Sequence, residues 1–268
     1  MRRQTKAMDL MSDDPILKYW EAQAAEHGSS HWASWGDEWM IELEIETIGA
    51  HIFPGQRVLD VGCANGYSAF RQLRARKPEA IFGVDFSRKM IAAANAKKAE
   101  HKFGSEVLFE EGDVRHLRFP DKSFDVVYTT RVLINLSTWE EQKQGIQECV
   151  RVAKEGGTIV LSEAFWEPLV SLNALRLVAN LPPLVEHDFN RYIKRTRMEQ
   201  FLRLLRLNFS VQPFSSVYYL GSRFLRELVT NPDDYPGYSN PINRQFFELE
   251  RAYSGGDFGI QQAVIIKK

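Results

Sequence analysis

The sequence predicts an α/β fold: a doubly wound, mostly parallel seven-stranded sheet with N-terminal helices and an inserted helical cap. Two observations carry this prediction. Short apolar runs alternate with helical patterns from about residue 57 to residue 163, as strands and crossover helices do in a parallel sheet. Two further strand-like segments, 209–219 and 261–267, complete the sheet. We expect ligands to bind at the carboxyl ends of the parallel strands.

The same pattern divides the chain into four segments. They are a tail with a helical lid at 1–52, a ligand-binding core at 53–165, a helical cap insertion at 166–208, and C-terminal strands with an insertion at 209–268.

The N-terminal segment is rich in tryptophan. After a loose tail at residues 1–14, helical patterns run from Pro15 to about Ile52 with a break at His27–Gly36. Two interpretations remain open for the indole rings: they pack the helices onto the sheet edge, or together with Tyr19 they cover a cationic ligand by cation–π attraction. The rings belong to Trp20, Trp32, Trp35 and Trp39.

The stretch Arg57–Ala69, RVLDVGCANGYSA, joins a buried strand to a helix through a glycine turn. Such a turn lets a ligand approach the backbone and presents free N–H groups at the helix N-terminus. The dinucleotide pattern G-x-G-x-x-G, aligned on Gly62, requires glycine at positions 64 and 67. Ala64 and Tyr67 stand there instead, so the turn favours a different nucleotide-type ligand.

Acidic residues follow the next two predicted strands. The run Ala80–Asp85 ends in a carboxylate that can accept both hydroxyls of a ribose, and Ser87 can cap the helix that follows. The run 107–109 is followed by Asp113 and Val114, which suit the amino group and the ring face of an adenine.

Two more core strands and the C-terminal part follow. A fourth strand is predicted at Phe124–Thr129 and a fifth at Thr158–Glu163; between them, Ser137–Glu140 matches a capping box. The last strand, Gln261–Lys267, is expected to lie antiparallel at the sheet edge.

Residues 55–165 resemble the core of class I S-adenosylmethionine-dependent methyltransferases, in particular the ubiquinone-biosynthesis-type small-molecule enzymes. The resemblance rests on the motifs LDVGCANG, GVDFSRKM, EGDVRHLRF, FDVVYTTRVLINL and RVAKEGGTIVLSE. It implies a Rossmann-like methyltransferase fold and S-adenosyl-L-methionine as cofactor, with S-adenosyl-L-homocysteine as product and no metal. The family usually has a glycine where Ala64 stands. The residues that the resemblance places around the cofactor are Asp60, Gly62, Cys63, Ala64, Asp85, Phe86, Asp113, Val114, Thr130 and Arg131.

Methyl transfer mainly requires the acceptor atom to lie in line with the methyl group. A general base is needed only where the acceptor must lose a proton. The candidates for this catalytic role are His187, Glu163 and Tyr192, with Asn190 as a further candidate for orienting the acceptor. His187 ranks first because an imidazole titrates near neutral pH. Arg131 and Asn135 are candidates for positioning the acceptor.

The amino-acid composition limits the kinds of partner that are expected. The 34 basic and 35 acidic residues nearly cancel, and no basic aromatic stripe is present, so no nucleic-acid partner is expected. No apolar run is long enough to span a bilayer, and the N-terminus carries no secretory signal. Two cysteines, Cys63 and Cys149, suit a cytoplasmic location. The apolar stretch Phe165–Leu184 packs internally or across a homodimer.

We therefore expect a cytoplasmic methyltransferase that acts on a small-molecule or glycan-like acceptor, most readily at oxygen. Oxygen is favoured by the available His, Glu and Tyr side chains and by the absence of an N-P-P-Y amine signature after strand four. Two alternatives remain open. One is a nucleotide-dependent oxidoreductase of related topology, and the other is a non-catalytic protein that binds S-adenosylmethionine.

Overall fold

The computed structural model describes residues 14–231 and 237–268. All seven of its strands belong to one sheet, in the order β3-β2-β1-β4-β5-β7-β6. Strands β1 to β5 are mutually parallel. The predicted fold class is therefore confirmed. The tail predicted at residues 1–14 lies outside the described residues except for Asp14. The strands are β1 (Arg57–Val61), β2 (Ala80–Asp85), β3 (Val107–Glu111), β4 (Phe124–Thr130), β5 (Ala153–Ala164), β6 (Asn208–Gln212) and β7 (Gln261–Lys267).

The strand order reverses between β1 and β4. From β1 the chain winds outward through β2 to β3, then returns to β4 on the other side of β1. In doubly wound sheets the crevice above such a reversal is where ligands bind. The strands on both sides of it are buried, since Val58, Leu59, Val126 and Val127 are completely shielded from solvent.

Both C-terminal strands differ from their predicted form. β7 is antiparallel as expected, but it lies between β5 and β6 rather than at the edge. Its side chains are buried from Gln261 to Ile266, which suits an inner strand, whereas the half-exposed β6 forms the edge. The sixth strand also ends at Gln212 instead of 219, because Pro213 follows and the chain enters a helix at Ser216.

Helices cover both faces of the sheet. The N-terminal α1 packs on α4 beside β2 and β3, while α2 packs on α3, β5 and the C-terminal α10. The helices are α1 (Pro15–His27), α2 (Glu38–Gly49), α3 (Tyr67–Arg76), α4 (Arg88–Glu100), α5 (Trp139–Val152), α6 (Trp166–Val178), α7 (Arg195–Leu204), α8 (Ser216–Leu220), α9 (Arg226–Val229) and α10 (Asn243–Ala252). Single 3₁₀ turns occur at His31–Ala33, Leu133–Asn135 and Gly237–Ser239, and a π-helical turn, Gly221–Leu225, joins α8 to α9.

The capping box of α5 lies one residue later than predicted. Thr138 accepts from the Glu141 amide, and the Glu141 carboxylate accepts from the Thr138 amide. Ser137 instead lines the ligand cleft described below.

The apolar stretch Phe165–Leu184 is divided between core and surface. Phe165, Leu169 and Leu172 are buried, whereas Leu177 and Val178 are 76% and 86% exposed. The homodimer stays a prediction. In the described part of the chain, no helix is both long and apolar enough to cross a membrane.

Candidate functional site

A cleft lies across the carboxyl ends of β3, β2, β1 and β4. Its empty volume, which includes solvent space at the open mouth, is about 940 Å³. Eight of the ten residues expected to surround a cofactor line it; Asp60 and Cys63 do not. The lining residues are Asp14, Ile16, Trp20, Ser34, Val61, Gly62, Ala64, Asp85, Phe86, Met90, Gly112, Asp113, Val114, Arg115, Thr130, Arg131, Val132, Asn135, Leu136 and Ser137.

The glycine turn forms the floor of the cleft. Gly62 has a φ of 75°, and a Cβ built there would lie 2.1 Å from Cγ2 of Val132. No other residue type fits this backbone without displacing the loop after β4. Ala64 also adopts a left-handed conformation, with a φ of 47°, and its amide donates to Asp85 at 2.9 Å. That hydrogen bond holds the alanine in a region that favours glycine.

Asp85 joins the turn to the second strand. One carboxylate oxygen accepts from the Ala64 amide and the other from the Ser87 amide, each at 2.9 Å. The side chain lines the cleft, where its remaining lone pairs are free to accept from a ligand. Burial raises the pKa of this carboxyl to about 6, although the two amide donors oppose the rise.

Asp113 stands at the end of the next strand, beside Val114. Its carboxylate forms a bidentate pair with Arg115, which also contacts Glu141 at 2.6 Å. This pair fixes Asp113 at the cleft wall, and Val114 supplies a buried apolar surface next to it. The two acids predicted at strand ends are thus brought to one edge of the sheet.

The loop after β4 closes the other side of the cleft. Arg131 has a φ of 57°, and its amide donates to the Ser162 carbonyl on β5. Thr130 and Asn135 line the cleft, and the Thr130 hydroxyl and the Asn135 amide oxygen are buried without a hydrogen-bond partner among the described residues. Such orphaned polar atoms are expected where a polar ligand completes a site.

Comparison with known proteins shows which proteins the core of the chain resembles. Residues 58–157 match the model of the methyltransferase domain family. The chain is 32% identical over 114 residues to 27-O-demethylrifamycin SV methyltransferase of Amycolatopsis mediterranei, covering 42% of this chain and 40% of that protein. It is 34% identical over 110 residues to the ubiquinone/menaquinone biosynthesis C-methyltransferase of Geobacter sulfurreducens, covering 41% and 42%.

Over this part of its length the chain resembles class I S-adenosylmethionine-dependent methyltransferases. The matches span about two fifths of the length of these relatives. A solved structure, the geranyl diphosphate C-methyltransferase of Streptomyces coelicolor bound to S-adenosyl-L-homocysteine, superposes with a TM-score of 0.57 over 84% of this chain and 78% of that one. At 18% identity this likeness shows the fold alone.

Two residues of the methyltransferase motif lie beneath the cleft rather than along it. Cys63 is buried, and burial raises the pKa of its thiol, which suits a packing role. Asp60 is 1% exposed, and its Oδ2 has no partner among the described residues. Burial raises the pKa of Asp60 to about 7, the Tyr128 hydroxyl opposes this rise, and the nearby Asp85 adds to it.

We expect Asp60 to make the methyltransferase domain less stable as pH rises. Its pKa in the folded state lies above its ordinary value of 3.8, so the folded state holds a proton that the unfolded chain releases. The stabilisation is complete below about pH 4 and is lost as pH rises to about 7. Asp60→Asn, which mimics the protonated form, should therefore gain at least about 1 kcal/mol over wild type between pH 5 and pH 8. Urea unfolding at both pH values measures this; an equal pH dependence in the two proteins would contradict it.

Glu163 lies under the loop after β4. Its carboxylate accepts from the backbone amides of Val132, Leu133 and Ile134 at 3.2–3.3 Å and from the Thr129 hydroxyl at 2.7 Å. The side chain is fully buried and does not line the cleft. Burial raises its pKa to about 7, while the four donors oppose the rise. This geometry supports the loop from below.

The other predicted catalytic candidates lie outside the lining of the cleft. His187 borders a separate groove under α6, and its ring lies 4.3 Å from Phe189 and 5.3 Å from Tyr19 on α1. The backbone N–H of Asn190 donates to the His187 carbonyl. Tyr192 is half-buried, and burial raises the pKa of its hydroxyl to about 12.

Sequence reasoning missed several lining residues, among them Ser34, Met90 and Leu136. Met90 belongs to the apolar stripe of α4, and a stripe does not reveal that one member reaches the ligand. Ser34 lies in the loop before α2 and has no local signal. Among the described residues, no group of three or more metal-binding side chains could hold a metal ion.

Proposed function

We propose that this protein is an S-adenosylmethionine-dependent methyltransferase that transfers the methyl group to an oxygen of a small-molecule or glycan-like acceptor. One observation carries the proposal: side chains suited to the successive parts of the cofactor follow one another along the strand ends in spatial order. Asp113 follows β3, Asp85 ends β2, Gly62 follows β1 and Thr130 ends β4. An elongated nucleoside ligand laid across these strands meets each in turn.

In this proposal each part of the cofactor has its own partner. Asp85 accepts from the ribose hydroxyls, with Phe86 beside the adenine. Asp113 accepts from the adenine amino group, and Val114 packs on the ring. The main chain of Gly62, Ala64 and Arg131 lies along the methionine part, whose ammonium group suits the unpartnered oxygens of Thr130 and Asn135. Asp60 and Cys63 support the turn from below.

Transfer to oxygen is the more specific part of the proposal. The name of the Amycolatopsis relative gives an O-demethylated acceptor, whereas that of the Geobacter relative gives C-methylation. Carbon is therefore the second candidate. Neither acceptor depends on a metal in this proposal.

Calorimetric titration with S-adenosylmethionine, S-adenosylhomocysteine and NAD tests the donor assignment. We expect saturable binding of the first two and none of NAD, because Ala64 and Tyr67 break the dinucleotide spacing. Binding of NAD alone would favour the oxidoreductase alternative. Methyl-labelled S-adenosylmethionine, incubated with the protein and small-molecule extracts, tests turnover and identifies the methylated atom by mass spectrometry. Binding without label transfer to any extract would favour the non-catalytic alternative.

A further inference from the structure

The Arg131 side chain extends away from the half of the cleft that would hold the nucleoside. Its Nε donates to Glu44 at 3.2 Å and its Nη1 to the Ser34 carbonyl at 3.3 Å. Glu44 also accepts from Gln261, which pairs with Ala164 at the end of β5. The guanidinium therefore lies on the β5 side of β4, whereas Asp85 and Asp113 lie on the opposite side of β1. If the nucleoside lies over β3, β2 and β1 as proposed, the space on this side is left for the acceptor.

Neighbouring residues orient the Arg131 guanidinium but leave some of its N–H groups free. It stacks on Trp35, with 4.6 Å between Cζ and the ring centroid, and its side chain is only 15% exposed. Its Nη2 has no acceptor among the described residues, yet the residue lines the cleft. An oriented arginine with free N–H groups is suited to bind an oxyanion.

The anionic groups near Arg131 are already engaged. Glu44 is buried against Arg131 and Gln261, and burial raises its pKa. Asp37 is buried and accepts from Arg223 and from the Tyr218 hydroxyl. Neither lines the cleft.

None of the described acids that line the cleft lies on this side. The acids that line the cleft are Asp14, Asp85 and Asp113. Two of these belong to the ends of β2 and β3, and Asp14 caps α1, which packs on α4 beside the same strands.

The tyrosines on the β5 side do not serve as bases either. Burial raises the pKa of Tyr192 to about 12, an effect that Glu186 and Tyr238 reinforce and Arg223 and Arg131 oppose. Burial also raises the pKa of Tyr219, next to Arg223. These hydroxyls stay protonated at neutral pH, so they can donate hydrogen bonds to an acceptor but not accept its proton.

We propose that the acceptor binds as an anion, with a phenolate, enolate or carboxylate oxygen held by the free N–H groups of Arg131. This inference rests on the proposed function and names the substrate class of the same site. An anionic oxygen gives a lone pair to the methyl carbon, the carbon–sulfur electron pair stays on sulfur, and both charges are cancelled. No proton is released, so no base is needed.

The test uses anion probes on the protein saturated with S-adenosylhomocysteine. Calorimetry compares benzoate with its neutral counterpart benzamide, and the absorption of 4-nitrophenol reports its ionisation when bound. We expect at least one probe to prefer the anionic form by about tenfold or more. Arg131→Met should reduce this preference to within about twofold, and Arg203→Met, on the exposed face of α7, should leave it unchanged. A stronger response to benzoate indicates a carboxylate acceptor, and a stronger response to 4-nitrophenol a phenolate or enolate.

Removing Arg131 leaves Glu44 buried without its cation, so Arg131→Met/Glu44→Gln serves as a second variant in which no charge is left unpaired. Equal binding of charged and neutral probes, or no binding of benzoate and 4-nitrophenolate, would overturn the inference. It would also be overturned if Arg131→Met weakened S-adenosylhomocysteine about tenfold but left 5′-methylthioadenosine unchanged, since Arg131 would then hold the carboxylate of the cofactor. A wild-type protein that binds no S-adenosylhomocysteine would instead refute the proposed function.

Discussion

Asp85→Ala is expected to weaken the binding of S-adenosylhomocysteine by at least about a hundredfold. In the proposed complex the carboxylate accepts from two ribose hydroxyls, and each hydrogen bond to a charged group contributes about 1.5–3 kcal/mol. The carboxylate also anchors the left-handed Ala64 by accepting from its amide, so the glycine turn loses its fixed position at the same time. Titration calorimetry measures the affinity.

The adjacent strand provides a matched control. Glu111 is the register partner of Asp85 on β3, is exposed, and pairs with Arg88 instead of facing the cleft. Glu111→Gln should therefore retain wild-type affinity. Urea unfolding of Asp85→Ala at saturating and zero ligand separates a local loss of affinity from a loss of fold. An affinity within threefold of wild type would remove Asp85 from the ribose site.

The strand ends that line the cleft could be predicted because their signals are local. Each strand is a short apolar run, and the functional residue follows it within a few positions, as Gly62 follows β1 and Asp85 ends β2. A parallel α/β rhythm then brings these strand ends to one edge without further information. Alanine can stand at position 64, where the family usually has glycine, because the Asp85 carboxylate holds its backbone.

The order of the last two strands could not be predicted in this way. β6 and β7 can each pair with β5 in principle, and the choice depends on how completely each strand is buried. β7 is apolar on both faces from Ala263 to Ile266, whereas Ser210 alternates with apolar neighbours in β6. When the two segments are compared as candidates for the inner position, this contrast favours β7. Considered alone, each segment predicts only a strand.

The acceptor half depends on contacts between distant parts of the chain. Trp35 stacks on Arg131, and its Nε1 donates to the Tyr238 hydroxyl at 3.3 Å. Arg223 lies 4.7 Å from the ring of Tyr238 and pairs with Asp37 before α2. No periodicity or motif indicates that these segments meet. The N-terminal tryptophans therefore differ in their environment. Trp39 packs on Phe247, as expected for core packing, whereas Trp20 lines the cleft, as expected for a lid.

Glu163→Ala is expected to lower the free energy of unfolding by at least about 3 kcal/mol. The substitution leaves the amides of the 132–134 turn without an acceptor in a buried site, and each unsatisfied buried group costs about 1–3 kcal/mol. The same turn carries Val132, which packs against Gly62, so the cleft should lose its shape along with the stability. Urea unfolding measures the change, and calorimetry with S-adenosylhomocysteine measures its effect on the cleft.

Thr129→Val is the matched control, since it removes one of the four hydrogen bonds to Glu163 and leaves the carboxylate on its three amides. It should cost about 1–2 kcal/mol and preserve cofactor binding. The comparison separates a supporting role from a catalytic one. A general base would give the opposite result: Glu163→Ala would keep wild-type stability and cofactor affinity and would lose only methyl transfer. Glu163 is fully buried and does not line the cleft, which is the reason that we expect stability to change first.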